Sequence, residues 1–416
     1  MVERHHAADP LARLWDRTPV LKRLRETGKE ERPLEGTTVA VCAHLEPKTG
    51  IFVETLRDAG ADVLCTPNVP GSVHGDVVEH LDDQAGITAF AAEEMSEAEL
   101  DRAHRDVLAR DPDLLASDGA DLPVKLHADP DLSTAGVLGC VEQTTSGVSR
   151  VRAMENDGVL DIPVYAVNHT PMKHWFDNVH GTGESALTNI ALSTNTVLSG
   201  RTVVVAGYGY VGRGVASKAR AIGADTIVTE VDPRKAIRAH MDGHRVMPMD
   251  EAAGVGDLFV TATGTCHVIR ERHFERLTDG AMLSNVGHRE VEIAIDQLAA
   301  LATDVTTVEE GISRYTLPDG REIDLLAEGG MVNLTGPYSQ GHPATVMDST
   351  FGAMFVGLRE LLQEEAASLE AGVHEFPDEL DREVAAMKLD GLGLEIDALT
   401  DRQRRYLDAW QRDEVV

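Results

Sequence analysis

Basic residues are scarce in this sequence, and lysine is the scarcest of them. The 416 residues include 38 lysines and arginines against 70 aspartates and glutamates, a formal net charge of −32, and eight of the 38 are lysine. So negative a field argues against nucleic acid and membrane surfaces as partners. Acid excess with arginine in place of lysine predicts adaptation to high salt, where self-repulsion is screened. An ordinary acidic cytosolic enzyme is the alternative.

Cysteine and long apolar runs are also scarce. The four cysteines, Cys42, Cys65, Cys140 and Cys266, form no Cys-x-x-Cys pair, so we expect reduced, buried thiols and neither a disulfide framework nor a zinc or other metal site. No apolar run approaches the ~18–20 residues needed to cross a membrane. The first residues lack the hydrophobic segment of a signal peptide. The sequence therefore predicts a soluble, cytoplasmic protein.

Glycine is arranged in a dinucleotide-binding pattern within residues 203–214. Three valines and an alanine predict a buried strand, and Gly207, Gly209 and Gly212 follow in Gly-x-Gly-x-x-Gly order ahead of a predicted helix. Such glycines permit a tight turn and close approach of the backbone to a pyrophosphate at the helix N-terminus. Glu230 ends the next predicted strand, where an acid accepts a ribose 2′-hydroxyl and repels a 2′-phosphate. The pattern favours NAD over NADP.

Short apolar strands alternate with amphipathic helices on both sides of this turn. The alternation predicts an α/β fold with two doubly wound parallel sheets, each Rossmann-like, and a short C-terminal helical tail. The predicted domains are a substrate-binding domain at 1–181, completed by 341–385, an NAD-binding domain at 182–340, and a tail at 386–416. Among the predicted elements are strands at 37–43, 114–117 and 137–141 and helices at 52–59 and 97–108.

The candidate site consists of polar residues that follow predicted strands, because ligands bind between two α/β domains at the carboxyl ends of the strands. Each cluster taken alone could be a turn or a helix cap. Lys48 and Lys173 are notable, since a lysine-poor chain keeps lysine where an amine must bind a compact oxygen or change protonation state. The clusters are His44–Thr49, Asp118, Glu142–Ser146, Asn168 with Lys173, Asp177 and Asn178, Asn285–His288, Asn333 and His342.

Taken together, these clusters resemble the motifs of the S-adenosylhomocysteine hydrolase family over residues 10–410. The resemblance implies a tightly bound NAD that is used and regenerated in cleaving a nucleoside thioether, and a homo-oligomer, typically a tetramer. The matching motifs are the His44 loop, Asp118-Gly119, Glu142-x-Thr144-Thr145, Lys173-x-x-Phe176-Asp177-Asn178, Gly207-Tyr208-Gly209-x-Val211-Gly212, Asn285-x-Gly287-His288, Leu326-Ala327-Glu328-Gly329 ahead of Val332-Asn333-Leu334, and Gly341-His342-Pro343.

In that family the nucleoside 3′-hydroxyl is oxidised, C4′ is deprotonated, the thiol leaves C5′, water adds, and the 3′-hydroxyl is restored. The resemblance implies that Asp118 is the C4′ base or a ribose partner. His44 is implied to assist thiol departure and water addition, and His288 to lie by the cofactor and the 3′ oxygen. Lys173 and Asp177 are four residues apart and share a helix face, and a lysine beside a carboxylate can take a hydroxyl proton.

The resemblance also implies two sets of binding residues. The expected substrate-binding residues are Glu46, Lys48, Thr49, Gln143, Asn168 and His342, the last as a gate near the purine. The expected NAD-binding residues are Thr144, Thr145, Ser146, Asn178, Gly207, Gly209, Tyr210, Val211, Gly212, Arg213, Gly214, Glu230, Lys235, Thr263, Asn285, Val286, Gly287 and Asn333.

Several positions depart from the family pattern. The motif that faces adenine, usually His-Met-Thr-x-Glu/Gln-Thr, contains Lys48 at its fifth position here. An ammonium only donates hydrogen bonds, so Lys48 suits a 6-oxo purine better than a 6-amino purine. A branch of the family that hydrolyses S-inosylhomocysteine has a similar loop, and we expect an inosyl preference. Gln143 for Glu, Gly330 for Arg and Gly71–His74 for Ser-Thr-Gln-Asp bear on rate and substrate.

Two other functions fit parts of the pattern. A two-domain 2-hydroxyacid dehydrogenase shares the architecture, but it would use an arginine with a histidine–carboxylate pair and show net NADH production. A divergent, regulatory or weakly active paralogue that binds NAD and nucleoside would fit the departures. Retention of Lys173 and Asp177 argues against that second alternative.

Overall fold

The computed structural model describes residues 9–287, 289–363 and 369–410. The strands are β1 (Thr38–Cys42), β2 (Asp62–Thr66), β3 (Ile87–Ala89), β4 (Leu114–Ser117), β5 (Gly139–Glu142), β6 (Pro163–Ala166), β7 (Thr202–Ala206), β8 (Asp225–Thr229), β9 (Arg245–Val246), β10 (Leu258–Thr261), β11 (Ala281–Asn285), β12 (Asp304–Glu309), β13 (Ile312–Thr316), β14 (Glu322–Leu326) and β15 (Gly372–Glu375).

The α-helices are α1 (Pro19–Glu31), α2 (Pro47–Asp58), α3 (Gly75–Asp82), α4 (Glu97–Leu108), α5 (Asp121–Ala128), α6 (Thr145–Asn156), α7 (Pro171–Lys173), α8 (Thr182–Thr194), α9 (Tyr210–Ala221), α10 (Pro233–Met241), α11 (Met249–Ala252), α12 (Glu271–Phe274), α13 (Ile295–Leu301), α14 (Val332–Thr335), α15 (Ala344–Leu361), α16 (Asp378–Gly391) and α17 (Asp401–Asp408). A π-helix spans His174–Gly181, and 3₁₀ segments lie at Ala12–Arg17, Pro70–Ser72, Val167–His169, Arg289–Val291 and Ala327–Gly329.

The first sheet is entirely parallel, in the order β15-β6-β5-β4-β1-β2-β3. Its central strands β1, β4 and β5 are short apolar runs, buried almost throughout, as expected for strands covered by helices on both faces. The chain moves outward from β1 to β3 and then returns to β4 on the other side of β1. The switch point between β1 and β4 opens a crevice at their carboxyl ends.

The second sheet has the order β12-β13-β14-β11-β10-β7-β8-β9. It repeats the switch point between β7 and β10, and the strands from β14 to β9 pair in parallel. The edge is different, because β12, β13 and β14 pair antiparallel. The sequence pattern did not predict this edge, since every residue of β12 is exposed and the strand therefore has no apolar face.

The chain passes between the sheets twice. It leaves the first sheet through the π-helix and α8, builds the second sheet, and returns through α15 to add β15 beside β6. The return helix packs in the first core, where Phe351 stacks on Phe52 with ring centroids 4.8 Å apart. Asp348 in α15 accepts hydrogen bonds from the backbone N–H groups of Val20 (3.2 Å) and Leu21 (2.9 Å) at the start of α1.

The predicted α/β fold class with two Rossmann-like sheets is confirmed, and α4 and β4 have their predicted bounds. The helix predicted from residue 52 begins earlier, at Pro47, because a proline fits the first turn of a helix, where its missing N–H is not needed. Cys42, Cys65 and Cys140 are buried as expected, but Cys266 is exposed. Across the described ranges, no helix combines the length and apolar character that crossing a membrane requires.

Candidate active site

A cleft of about 1460 Å³ is lined by residues that follow strands of both sheets. The predicted site residues in its wall are His44, Glu46, Asp118, Gln143, Thr144, Thr145, Ser146, Asn168, Lys173, Asp177, Asn178, Gly207, Gly209, Tyr210, Val211, Arg213, Glu230, Lys235, Thr263, Val286, Gly287, Asn333 and His342. Lys48, Thr49, Gly212, Gly214 and Asn285 are not among the residues that line it. His288 lies outside the described residues.

Lys173 is positioned by the change from α7 to the π-helix. A π-helix closes its hydrogen bonds over five residues, so the side chains at i+4 and i+5 both flank the side chain at i. The Lys173 ammonium donates to Asp177 Oδ1 (2.9 Å) and to Asn178 Oδ1 (2.6 Å). The other carboxylate oxygen, Asp177 Oδ2, accepts from Thr350 Oγ1 (2.8 Å). These contacts fix the ammonium in the cleft wall.

The Lys173–Asp177 pair is buried, with the two residues 6% and 1% exposed. Burial opposes ionisation of Asp177, but the charges of Lys173 and His342 outweigh it and hold the pKa of that carboxyl well below its usual range. The network extends towards the first sheet, since Asn178 donates to Asn168 (3.1 Å) and Asn168 donates to Thr145 (3.0 Å). An ionised Asp177 therefore lies beside the Lys173 side chain in a buried, hydrogen-bonded network.

His44 and Asp118 meet at the switch point of the first sheet. They follow β1 and β4, and the Asp118 N–H donates to Cys42 O (2.9 Å). His44 Nε2 lies 3.9 Å from Asp118 Oδ2, which also accepts from Gln143 Nε2 (2.9 Å). Asn68, which the sequence analysis missed, places its amide nitrogen 3.4 Å from both His44 Nε2 and Asp118 O.

Three buried polar atoms of this group have no hydrogen-bond partner among the described residues: His44 Nδ1, Asn68 Oδ1 and Gln143 Oε1. Buried polar atoms are normally paired in a folded protein, with protein groups, water or ligand. All three residues line the cleft. The group is therefore suited to bind a polar ligand beside Asp118.

Lys48 and His342 make contacts that the sequence did not reveal. The Lys48 ammonium donates to the Glu46 carboxylate and to Gln340 O, and Lys48 is 7% exposed. Thr49 Oγ1 donates to His44 O (2.5 Å) and so steadies the His44 loop. The His342 ring is 3.1 Å from Asp177 Oδ1 and 3.0 Å from Thr182 Oγ1, which places it against the buried ion pair.

The glycine turn after β7 fits a dinucleotide. Gly207 has φ +93°, and a Cβ there would lie 2.8 Å from Ala262 O. A Cβ at Gly212 would overlap the carbonyl oxygen of Gly207, whereas a Cβ at Gly209 would meet open space, the room that a pyrophosphate needs. Glu230 accepts the N–H of Tyr208 (2.7 Å) and Asp232 (3.0 Å).

The charge on Glu230 suits a ribose diol. Burial opposes ionisation, but backbone N–H donors lower the pKa of Glu230 overall. An ionised carboxylate at this place accepts hydrogen bonds from the ribose hydroxyls and repels a 2′-phosphate. The residues of the turn and Glu230 therefore fit NAD.

Three further residues that were predicted to bind the cofactor, Asn285, Asn333 and Gly214, make contacts that hold this part of the structure in place. Asn285 accepts from Thr261 (3.1 Å) and from the Gly287 N–H (2.8 Å), and donates to Gly329 O (3.1 Å). Asn333 donates to Ser185 Oγ (3.2 Å). A Cβ at Gly214 would overlap Val179 O, so that glycine lets α9 approach the π-helix.

The described residues contain no group of three His, Cys, Asp or Glu side chains able to hold a metal ion.

The glycine turn, the ionised Glu230 and the buried Lys173–Asp177 pair define the class of protein: an NAD-binding α/β enzyme with two Rossmann-like sheets. Residues 178–338 match the family model described as S-adenosyl-L-homocysteine hydrolase, NAD binding domain, and residues 15–134 match S-adenosyl-L-homocysteine hydrolase. The chain belongs to the S-adenosyl-L-homocysteine hydrolase family.

Similar proteins span nearly the whole chain. Adenosylhomocysteinase of Halobacterium salinarum is 49% identical, covering 95% of this chain and 93% of its own. Adenosylhomocysteinase of Archaeoglobus fulgidus is 45% identical (94% and 96%), and S-inosyl-L-homocysteine hydrolase of Methanopyrus kandleri is 44% identical (95% and 93%). Among solved structures, dipicolinate synthase of Bacillus halodurans aligns distantly, with a TM-score of 0.46 and 14% identity over 79% of this chain and 99% of that one. The predicted family and NAD cofactor are confirmed.

Proposed function

We propose that the protein catalyses the reversible hydrolysis of an S-nucleosyl-L-homocysteine to the nucleoside and homocysteine. The observation that carries the proposal is the buried Lys173–Asp177–Asn178 network, which faces the same cleft as the glycine turn and the His44–Asp118 group. One cleft thus combines a nicotinamide site with two separate proton-transfer groups. An ordinary dehydrogenase would need only one such group.

The glycine turn and Glu230 would hold NAD, which when bound supplies reversible hydride transfer at the ribose 3′ carbon without net oxidation. As the neutral amine, Lys173 takes the proton of the 3′-hydroxyl to become the ammonium and later returns that proton, while Asp177 and Asn178 keep its nitrogen oriented. Because Asp177 stays ionised, it favours the protonated lysine that forms in this step. The low dielectric of the buried pair strengthens that preference.

Asp118 removes the C4′ proton once the neighbouring carbon is a ketone. Gln143 orients its carboxylate from one side, and His44 lies 3.9 Å away on the other. His44 then donates a proton to the departing thiolate and takes one from the incoming water. Asn68 contacts both His44 and the Asp118 backbone, and so keeps the two groups in register.

For the base, we propose hypoxanthine, and so an S-inosyl substrate. The Lys48 ammonium has three donors and uses two of them on Glu46 and Gln340 O, which leaves one for a 6-oxo group. Glu46 lines the cleft and can accept the N1–H of hypoxanthine. Adenine would need the two groups in the opposite order, with Lys48 at N1 and Glu46 at the 6-amino group.

Thiol release from S-adenosyl- and S-inosyl-homocysteine by the purified protein in high-salt buffer tests both proposals. Faster release from the inosyl substrate supports both. Faster release from the adenosyl substrate keeps the hydrolase and removes the inosyl preference. No thiol from either substrate, with NAD still bound, overturns the hydrolase and indicates a non-catalytic protein.

The substitution Lys48→Gln examines the base preference directly. A glutamine amide both donates and accepts, so it serves a 6-amino group that an ammonium cannot. We expect the ratio of inosyl to adenosyl kcat/KM to fall about tenfold, the effect of roughly 1.4 kcal/mol. An unchanged ratio in a folded variant would show that Lys48 does not read the base.

We further infer that the chain acts as a cytoplasmic homo-oligomer, a tetramer. Between and beyond α16 and α17, apolar side chains are exposed, among them Ile396 (75%) and Trp410 (88%). Such a surface is typical of a contact between protomers. Light scattering after size exclusion in 2 M KCl checks the assembly, and a monomer there would contradict it.

A further inference from the structure

Glu142 is a fully buried carboxyl that lies outside the cleft wall. It ends β5, is 0% exposed, and accepts hydrogen bonds from two loops. From the loop after β4 come the N–H groups of Gly119 (3.1 Å) and Ala120 (2.9 Å). From the loop after β5 come the N–H (2.8 Å) and hydroxyl (2.6 Å) of Thr144. One carboxyl therefore joins the loop that carries Asp118 to the loop predicted to reach the cofactor.

The local backbone is shaped around this carboxyl. Gly119 and Ala120 both have positive φ, +95° and +61°, and Ala120 takes this unfavourable conformation although it has a Cβ. In this conformation the N–H groups of both residues donate to the same carboxyl. A Cβ at Gly147 would overlap the Glu142 carboxyl carbon, so α6 also leaves room for it.

A second buried carboxyl lies beside the second sheet. Glu292 is 0% exposed and accepts from the Thr263 N–H (3.0 Å), the Thr263 hydroxyl (2.7 Å) and the Gly264 N–H (2.7 Å). A Cβ at Gly287 would overlap it, as one at Gly147 would overlap Glu142. Both walls of the cleft thus rest on a buried carboxyl, which argues that the contacts of Glu142 serve the site.

We propose that Glu142 is a positioning residue that places Asp118 for proton transfer at the substrate. The inference rests on the proposed function. Glu142 Oε2 accepts only from the Ala120 N–H, whereas Oε1 accepts from Gly119 and from both Thr144 donors, so Oε2 is the oxygen that contacts only the turn after Asp118. Losing the Oε2 contact should release Asp118 while leaving the Thr144 loop in place.

The ionisation of Glu142 gives this role a pH dependence. Burial, opposed in part by the Thr144 hydroxyl and reinforced by the charge of Asp118, raises the pKa of Glu142 to about 7. A protonated Oε2 would present a hydrogen to the Ala120 N–H, so the turn is held best above neutral pH. The facing groups are Asp118, the buried thiols of Cys140 on the same strand and of Cys42 on β1, and Asp121, which is paired with Arg150 of α6.

The test compares Glu142→Gln with wild type and with Glu54→Gln, a buried glutamate of the same sheet's helical layer that pairs with His80 (3.0 Å) and Gln84 (2.8 Å). In Glu142→Gln the amide oxygen can keep the three donors of Oε1, but the amide nitrogen faces the Ala120 N–H. Each NAD-loaded protein is mixed with the nucleoside product. Absorbance at 340 nm measures the reduced NAD that forms when the 3′-hydroxyl is oxidised. Deuterium uptake at C4′ measures the removal of the C4′ proton by Asp118.

We expect Glu142→Gln to lose C4′ exchange by about 10²-fold, the scale of general-base catalysis. Reduction of bound NAD should stay within about threefold of wild type, since the Lys173 step is untouched. The pH dependence of activity that the ionisation of Glu142 causes near neutral pH should disappear in this variant. Its KM should change little. Glu142→Asp, which keeps the charge, should restore part of the exchange, and Glu54→Gln should match wild type.

Exchange at the wild-type rate in a folded Glu142→Gln protein overturns the inference. Equal loss of exchange and of NAD reduction overturns it as well, because a structural defect would act on both. Should Glu142→Gln not fold, Glu142→Asp is expected to show the same selective loss in smaller measure, and its absence is decisive. A wild-type protein that neither exchanges C4′–H nor releases thiol overturns the proposed function instead.

Discussion

Two of the eight lysines, Lys48 and Lys173, are buried, and each is held by a carboxylate close in the sequence. Lys48 donates to Glu46 two residues before it, and Lys173 donates to Asp177 four residues after it. Burying an ammonium is costly unless it is paired and hydrogen-bonded. A chain that elsewhere prefers arginine has therefore kept lysine at two enclosed, paired positions.

Lys173→Arg should separate charge from proton transfer. The guanidinium can keep the pair with Asp177, but it does not release its proton at neutral pH. We expect a folded, NAD-binding protein whose reduction of bound NAD by nucleoside is slower by about 10²–10⁴-fold. Thr350→Val, which removes the hydrogen bond that a neutral hydroxyl donates to Asp177, is the matched control and should lose far less. Near-normal reduction in Lys173→Arg would rule out Lys173 as the proton acceptor.

The titration of Glu142 should be visible in stability. Its pKa is raised from 4.5 to about 7, so between these pH values the folded chain keeps a proton that the unfolded chain has lost. The free energy of unfolding should therefore fall by about 3 kcal/mol as pH rises through this window and stay level above it. Glu142→Gln lacks this contribution. Urea unfolding of both proteins from pH 4.5 to 8 gives the difference, and parallel curves would contradict the expectation.

At the scale of elements, the glycine turn after β7 joins folding to cofactor binding. A Cβ at Gly212 overlaps a backbone carbonyl that cannot move freely, whereas a Cβ at Gly209 meets only the space predicted for the pyrophosphate. Gly212→Ala should lower the free energy of unfolding by about 1–3 kcal/mol and weaken NAD binding. Gly209→Ala should leave stability unchanged and weaken NAD at least about tenfold.

Thermal unfolding of the NAD-free proteins, followed by titration with NAD, measures both effects of the glycine substitutions. If Gly212→Ala loses no more stability than Gly209→Ala, a shift of the turn must relieve the crowding at Gly212. Wild-type NAD affinity in Gly209→Ala would place the pyrophosphate elsewhere in the cleft.

The elements that the sequence predicted well contain an apolar run or an apolar face that is recognisable in the sequence. β4 is a short apolar run, and α4 is an amphipathic segment that begins after a Ser96 capping box in the structure. The strand β12 was missed because its side chains are all exposed. The π-helix was missed because nothing in its composition distinguishes it from an α-helix, so the contact of Lys173 with Asn178 was not foreseen.

The candidate site was predictable where residues follow strands and unpredictable where they meet across the fold. His44, Asp118 and Lys173 were found from strand ends and from lysine scarcity. Asn68 and Thr350 were missed, because each is a common residue whose role comes from packing against a distant partner. The roles of the individual site residues stay predictions that the substitutions above examine.

At the scale of the whole molecule, the net charge of −32 should make stability depend on salt. The Debye length falls from about 10 Å at 0.1 M to about 3 Å at 1 M, which screens repulsion among surface carboxylates. The melting temperature should rise steadily from 0.1 to 2 M KCl, by differential scanning fluorimetry. A melting temperature that is flat or falls over this range would contradict adaptation to high salt.

The return of the chain to its first sheet has a consequence for synthesis on the ribosome. The second sheet is complete once residue 326 has emerged, but the first still lacks α15, the edge strand β15 and the helix α16. Its earliest helix, α1, finds its anchor Asp348 more than three hundred residues later. Although it is translated second, the NAD-binding half can therefore finish folding first. The half that begins the chain is completed only when the C-terminal elements α15, β15 and α16 have been synthesised and pack onto it.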